Sequence, residues 1–423
     1  MLRVAMLSYH TCPLAILGGK DTGGMNVYVR ELTRSLGQMG VHIDVFTRSQ
    51  DDCVPHVLHE LGFGNRVVHV PAGPEKPLPK SELVKFIPGF TDGIRQFASG
   101  KGIRYDLVHS HYWMSGMAAR TLKEEWGIPL VHMFHTLGVM KNFVARSSSE
   151  MEVPQRIEGE RQVLQAADRI VIATAAEREQ LVRHYQADEK KMITIPPGVD
   201  TGHFYPIPAD EAKEVIGVPR DKCMLLFVGR IEPLKGIDVL IRALALIFNS
   251  GSFGPCEHYL AVIGGESANN GSNDNDVNRE MLRLQNLCHE LGIGSLVVFL
   301  GKRSQESLPY YYSAAEFVIM PSYYESFGMV ALEAMACGTP VIASQVGGLA
   351  YLVEDGRTGY TVSEGDPEAL ARALIQLMKN PKLRQQMSRN ATALAQSYDW
   401  KVISQRILDL YNEVCRADVP IPA

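Results

Sequence analysis

The sequence predicts an α/β protein made of two doubly wound domains of similar size. Short β-branched runs alternate with longer helical patterns from end to end, the signature of parallel sheets covered by helices on both faces. A cluster of helix and strand breakers interrupts this series near its middle. The chain has 423 residues, enough for two or three domains at roughly 100 to 200 residues each, every one with its own core.

The first series holds strand candidates at 3–8, 42–46, 66–70, 106–109, 130–134, 169–173 and 192–195, with amphipathic helices between them, for example at 27–38 and 161–167. Pro196-Pro197-Gly198-Val199-Asp200, followed by Pro206 and Pro208, then marks a linker over 196–219. The second series has strand candidates at 224–228, 259–263, 296–300, 317–320, 341–343 and 359–362 and closes in helices at 369–378, 383–396 and 400–414. These boundaries predict an N-terminal domain over 1–200, a C-terminal domain over 201–400 and a terminal helix within 401–423 that packs back towards the first domain. The polar stretch between Gly264 and Arg279, with its insertion at 267–279, has too few apolar residues to order itself and predicts a loop. Doubly wound sheets bind ligands beyond the C-terminal ends of their strands, so the two domains are expected to face each other across a central cleft with one substrate each.

Lys+Arg number 42 against 47 Asp+Glu, a net charge of -5, which gives no broad basic face for nucleic acid and leaves room for a local cationic patch. The start, MLRVAMLSYH, lacks the regions of a secretory signal, and no stretch approaches the roughly 18 apolar residues of a membrane span, so a cytoplasmic protein is expected. Cys12, Cys53, Cys223, Cys256, Cys288, Cys337 and Cys415 are scattered and never in CxxC spacing, which predicts reduced, packing cysteines.

The most informative segment is PSYYESFGMVALEAMACGTP over 321–340, which follows a strand and runs through a loop into a helix. Glu325 stands in the loop and Glu333 in the helix, while Ser326, Phe327 and Gly328 precede unpaired backbone N–H groups that attract phosphates. Carboxylates accept well from vicinal hydroxyls, which suits Glu333 to a ribose diol and Glu325 to a sugar; the plainer alternatives are a helix-start charge and a solvated face residue. In GRIEPLKG a second strand ends in a turn presenting Arg230 and Lys235, a planar fork and a point charge fit to neutralise a diphosphate, or two structural surface cations.

Between the first strand and helix, LGGKDTGGMN over 17–26 is a glycine-rich loop that allows close backbone approach to a ligand. It is neither a P-loop nor a GxGxxG turn. Strand ends carry His109 and His111, then His132 and His135, but no carboxylate or cysteine stands at ligand spacing, so no metal site is expected and His135 reads as a hydrogen-bond donor to a polar ligand. Asp274-Asn275-Asp276 imitates a metal-binding DxD, yet no strand leads into it. Lys80 and Arg156 are candidates for holding an anionic acceptor.

Together, the E-x7-E from Glu325 to Glu333, the GRIEPLKG segment and the first glycine loop resemble the retaining family-four glycosyltransferases of GT-B fold, over nearly the whole chain. HTCPL, GGMNVYV, HSHYW, HTL and MKN are similar to the inositol-phosphate glycosyltransferases of mycothiol synthesis, and RIEGE at 156–160 to the sucrose-phosphate synthases. The resemblance implies two Rossmann-like domains and a UDP-sugar as substrate, with no cofactor and no metal required. It assigns Arg230 and Lys235 to the donor diphosphate, Glu333 to the ribose, Glu325 to the transferred sugar and His135 to a hydroxyl near the reacting carbon. Gly24 approaches the diphosphate from the first domain, and Gly264, Arg303, Ser326, Phe327, Gly328, Met329 and Val330 complete the expected donor set. Asn26, Lys80, Tyr112, Thr136 and Arg156 are expected to line the acceptor site, with Lys80 and Arg156 on its phosphate. In this family the leaving phosphate takes the acceptor proton on the same face, so help to the leaving group is the main catalytic term.

The expected reaction moves a hexose, glucose or N-acetylglucosamine, to a small phosphorylated acceptor, inositol phosphate first and fructose 6-phosphate second. A glycoside hydrolase built on Glu325 and Glu333 leaves the two cations without a role. A UDP-sugar epimerase needs no acceptor residues, and a non-catalytic sugar-nucleotide binder would have lost them. The expected partners are two small molecules, with no nucleic acid; the oligomeric state stays open, a homodimer included.

Overall fold

The computed structural model describes residues 2–15, 22–252, 257–265 and 275–417. Fourteen strands are found among them: β1 Arg3–Leu7, β2 His42–Arg48, β3 Val57–Leu58, β4 Arg66–Val70, β5 Leu107–His111, β6 Leu130–Met133, β7 Arg169–Ile172, β8 Met192–Thr194, β9 Lys222–Val228, β10 Glu257–Ile263, β11 Val297–Gly301, β12 Ala315–Met320, β13 Val341–Ser344 and β14 Gly359–Val362. They form one sheet in the order β3-β4-β2-β1-β5-β6-β7-β8 and a second in the order β11-β10-β9-β12-β13-β14. All ladders are parallel except β3 on β4. Parallel strands covered on both faces read as continuous apolar runs, as in β9, whose last five residues are all buried.

The chain divides into two compact units. The described residues of 2–15, 22–197 and 400–417 form one, and those of 198–399 the other. The N-terminal unit therefore recovers the terminal helix Trp400–Ala417, which lies beside the helix Gly24–Gln38: Tyr28 packs edge-on against Trp400 at 5.4 Å, and Ile403, Ile407, Leu410, Tyr411 and Val414 are buried. This is the i, i+3/i+4/i+7 stripe of an amphipathic helix meeting a core. Helix limits follow local chemistry: Pro154 opens Pro154–Ala166, Thr174 caps Ala175–Tyr185 by accepting from the Glu177 N–H, and Asp366 caps Pro367–Lys379 by accepting from the Ala369 N–H.

Two expectations are corrected here. The loop expected up to Arg279 ends earlier, because the helix Asn275–Glu290 begins inside it; the buried stripe Leu284, Leu287 and Cys288 anchors that helix on its own core and carries the preceding polar turn with it. Residues 266–274 of the insertion, and with them Asp274, lie outside the described residues. Cys223 is disulfide-bonded, against the expectation of reduced cysteines throughout, whereas Cys12, Cys53, Cys288, Cys337 and Cys415 are free. Spacing along the chain does not show which cysteines adjacent strands bring together. No helix of the described residues is long and apolar enough to cross a membrane.

Candidate active site

In the C-terminal unit the chain leaves β9 towards β10 and β11, then returns to add β12 on the other flank, so the sheet has its topological switch point between β9 and β12. Loops at such a point diverge to opposite faces and leave a crevice. Those loops, 229–236 and 321–328, carry the sequence's cations and its first glutamate. Lys235 Nζ lies 2.5 Å from Glu325 Oε2, with both side chains 17% exposed. Arg230, five residues earlier on the same loop, faces Glu232 with Nη1 2.9 Å from Oε1. The Tyr323 N–H donates to the Leu234 carbonyl at 2.9 Å, tying one loop to the other. Gly236 seals the contact: its φ is 65°, and a Cβ there would lie 2.0 Å from the Pro321 carbonyl oxygen.

Gly328, with φ 106°, then starts the helix Met329–Ala336, whose first-turn N–H groups have no intrahelical acceptor; Ser326, Met329 and Val330 at this end are half-buried. Phe327 is buried and packs near Tyr398. Glu333, one turn in, is 6% exposed and accepts from Tyr312 Oη at 2.8 Å, so it is no solvated face residue. Tyr312 was beyond sequence reasoning, since nothing local links it to a glutamate 21 positions away.

Gly264, expected in the donor set, has a packing role in the structure. Its N–H donates to the Gly301 carbonyl at 3.0 Å, and a Cβ would lie 1.8 Å from the Gly229 carbonyl oxygen, so glycine is needed for β9 and β10 to end side by side. Arg303 is likewise engaged within its loop, Nη1 donating to the Leu300 carbonyl at 2.6 Å and Nε to Tyr311 Oη at 2.7 Å.

The N-terminal unit has its own switch point, between β1 and β5. Around it stand His10 after β1, Tyr112 after β5 and His135 after β6. Tyr112 and His135 hold φ of 72° and 62°, a region that costs a side-chain-bearing residue roughly 1–2 kcal/mol and that gathers at functional sites. His135 Nε2 and His111 Nδ1 share a hydrogen bond of 3.0 Å, and Tyr28 packs edge-on against both rings. Burial holds His135 well below the usual imidazole range, at about 3, so its ring is neutral near pH 7 and one nitrogen carries a proton to donate.

Lys80, Tyr112, Thr136 and Arg156 come together as expected of one site. Arg156 and Lys80 lie over the Tyr112 ring, 4.9 and 5.7 Å from its centre. Arg156 is 1% exposed and its role needs refining: Nε donates to Glu160 Oε1 at 2.8 Å, Nη2 to the Thr136 carbonyl and Oγ1 at 2.9 and 3.0 Å, and Nη1 lies 2.7 Å from Glu152. Burial opposes its charge, but Tyr112, Glu160 and Glu152 outweigh this and keep it protonated. Glu160 also accepts from the Gly138 N–H and from Tyr185 Oη, so the pair fixes the chain at 136–138. The i, i+4 spacing of Glu152, Arg156 and Glu160 was the legible signal for the two missed glutamates.

Asn26, expected in the acceptor set, braces the first loop in the structure. Its Nδ2 donates to Thr11 Oγ1 and to the Cys12 carbonyl, both at 2.7 Å, and its Oδ1 accepts from the Gly23 N–H at 2.9 Å. Gly24, exposed in the first turn of its helix, keeps an N–H with no intrahelical acceptor. Residues 16–21 of the glycine loop lie outside the described residues. The metal-capable grouping among the described residues is Asp51, Asp52 and Cys53, all exposed.

Comparison with known proteins identifies the family. Residues 22–203 match the family model "Glycosyltransferase Family 4" and residues 208–394 match "Glycosyl transferases group 1". D-inositol 3-phosphate glycosyltransferase 2 of Catenulispora acidiphila is 41% identical over 97% of this chain and 94% of its own length, and the D-inositol 3-phosphate glycosyltransferase of Streptomyces scabiei is 41% identical over 97% and 91%. Among solved structures, sucrose-phosphate synthase from Thermosynechococcus elongatus superposes with a TM-score of 0.89 at 32% identity, covering 99% of this chain and 100% of that one. The chain belongs to the family-four glycosyltransferases of GT-B fold.

Proposed function

We propose that the protein transfers a hexose from a UDP-sugar to a phosphorylated polyol, inositol phosphate first, with retention of the anomeric configuration. The observation that carries the donor half is the Lys235–Glu325 pair at the switch point of the C-terminal sheet. In this scheme Lys235 and Arg230 neutralise the diphosphate as it departs, with no metal needed for that charge. The helix start at Met329 binds its oxygens, Glu333 accepts from the ribose hydroxyls and Glu325 orients the hexose. His135, neutral, hydrogen-bonds a sugar hydroxyl. With no protein base assigned, the departing phosphate removes the acceptor proton.

The acceptor half is supported by Lys80 and Arg156 against the Tyr112 ring and by the inositol 3-phosphate relatives. Fructose 6-phosphate is the second reading, favoured by the likeness to the sucrose-phosphate synthase structure. Lys80→Ala tests the phosphate role: KM for inositol phosphate is expected to rise at least tenfold, about 1.4 kcal/mol, while KM for unphosphorylated inositol stays within twofold. Equal effects on both acceptors remove Lys80 from the phosphate site.

A further inference from the structure

One carboxylate, Glu152, stands among the cations that this reading gives to the acceptor phosphate. Its Oε1 lies 2.7 Å from Arg156 Nη1 and 2.9 Å from Lys141 Nζ. Burial works against its charge, yet Arg156, Lys141 and Lys80 outweigh burial and hold it ionised. Tyr112 floors the cluster beneath Arg156 and Lys80. Against the same ring, at 4.4 Å, packs His10, which is 8% exposed and whose Nδ1 has no hydrogen-bond partner among the described residues.

The two glutamates differ in kind. Glu160 is fully buried and takes donors from Arg156, Gly138 and Tyr185, so removing it would strand charge in the interior. The Glu152 side chain is 23% exposed and is held by the cations Arg156 and Lys141, with a backbone N–H that donates to Asn142 Oδ1 at 2.7 Å. It can turn to water while the buried Arg156 keeps its pair with Glu160. A phosphate monoester brings nearly two charges and three acceptor oxygens where the carboxylate brings one and two, so the cations gain by the exchange.

We propose that Glu152 is an internal stand-in for the acceptor's phosphate: it occupies the Lys80, Lys141 and Arg156 cluster and yields it to a phosphate dianion, which sets the affinity for phosphorylated acceptors. The proposal rests on the reading of this cluster as the phosphate site. Glu152 is a specificity-determining residue in this account, because a neutral or singly charged acceptor has too little charge to displace it.

The test is calorimetric titration of the full-length protein with inorganic phosphate, with acceptor kinetics beside it. Glu152→Gln is expected to tighten phosphate at least fivefold and to lower KM for inositol 3-phosphate to match, leaving KM for inositol within twofold. Unchanged or weaker phosphate binding, at unchanged Tm, overturns the stand-in. Should that variant fail to fold, Asn142→Ala replaces it, loosening the backbone anchor while keeping both charges, with at least a twofold tightening expected and no tightening counting against the proposal. Lys80→Ala in the otherwise unaltered chain separates the two levels. If it leaves phosphate binding intact, the phosphate-site reading itself falls; if it weakens binding while Glu152→Gln changes nothing, the stand-in alone falls.

Discussion

Lys235→Ala is expected to lower kcat/KM for the UDP-sugar at least tenfold, about 1.4 kcal/mol of lost transition-state stabilisation, and Arg230→Ala to do the same. Negative charge grows on the departing nucleoside diphosphate, so a fixed cation is worth more in the transition state than against bound substrate, and the loss falls chiefly in kcat. Lys235 is also the partner of Glu325, and a largely buried carboxylate left alone costs stability of its own, about 1–3 kcal/mol. The double variant Lys235→Ala with Glu325→Gln separates these effects. Neutralising Glu325 is expected to restore Tm and not the rate. The rate is read against Glu325→Gln alone, because Glu325 orients the hexose in this scheme; a rate restored to that of the single Glu325 variant would assign the loss to stranded charge. Rates within twofold of the unaltered enzyme count against the diphosphate assignment.

Mild acid is expected to destabilise the N-terminal unit. Burial depresses His10, His109, His111, His132 and His135 below their unfolded value near 6.5, to about 3 for His109 and His135. A depressed histidine contributes stability that is present above pH 6.5 and is lost as pH falls towards its folded value, because the unfolded chain then binds more protons. Glu177 works the other way. Burial raises it to about 7, so its share of stability grows as pH falls through that value. Five groups outweigh one: at up to ~1.4 kcal/mol per group per pH unit, the net loss between pH 7.5 and 5.5 is of order 3–5 kcal/mol. That corresponds to a Tm lower by about 10 °C for a unit of this size, read by thermal unfolding of the intact chain. A Tm flat over that range contradicts the buried, neutral state of the histidines.

The element series was legible because parallel strands buried on both faces leave plain apolar runs, and all but the two-residue antiparallel β3 were foreseen near their observed bounds. Strand order was not legible, since no residue of β9 states that β12 will lie beside it; the switch point that gathers Lys235 and Glu325 became visible only in the sheet. Site residues on loops after strands were found by chemistry and position together. Their supports were missed because the partners are remote in sequence: Tyr312 under Glu333, Tyr185 on Glu160, and the edge-on contact of Tyr28 with Trp400 from the far end of the chain. Residue type did not show the backbone's own needs: the amides of Asn26 and Gly264 close the first loop and the sheet.

The most direct measurement is mass spectrometry of the purified protein incubated with UDP-glucose or UDP-N-acetylglucosamine and a panel of phosphorylated inositols and sugars. The account predicts UDP release that depends on acceptor and a product heavier than a phosphorylated acceptor by one hexosyl unit, formed from inositol phosphate before fructose 6-phosphate and only slowly from unphosphorylated inositol at comparable concentration. Free hexose with every acceptor, or UDP release indifferent to acceptor, would contradict it.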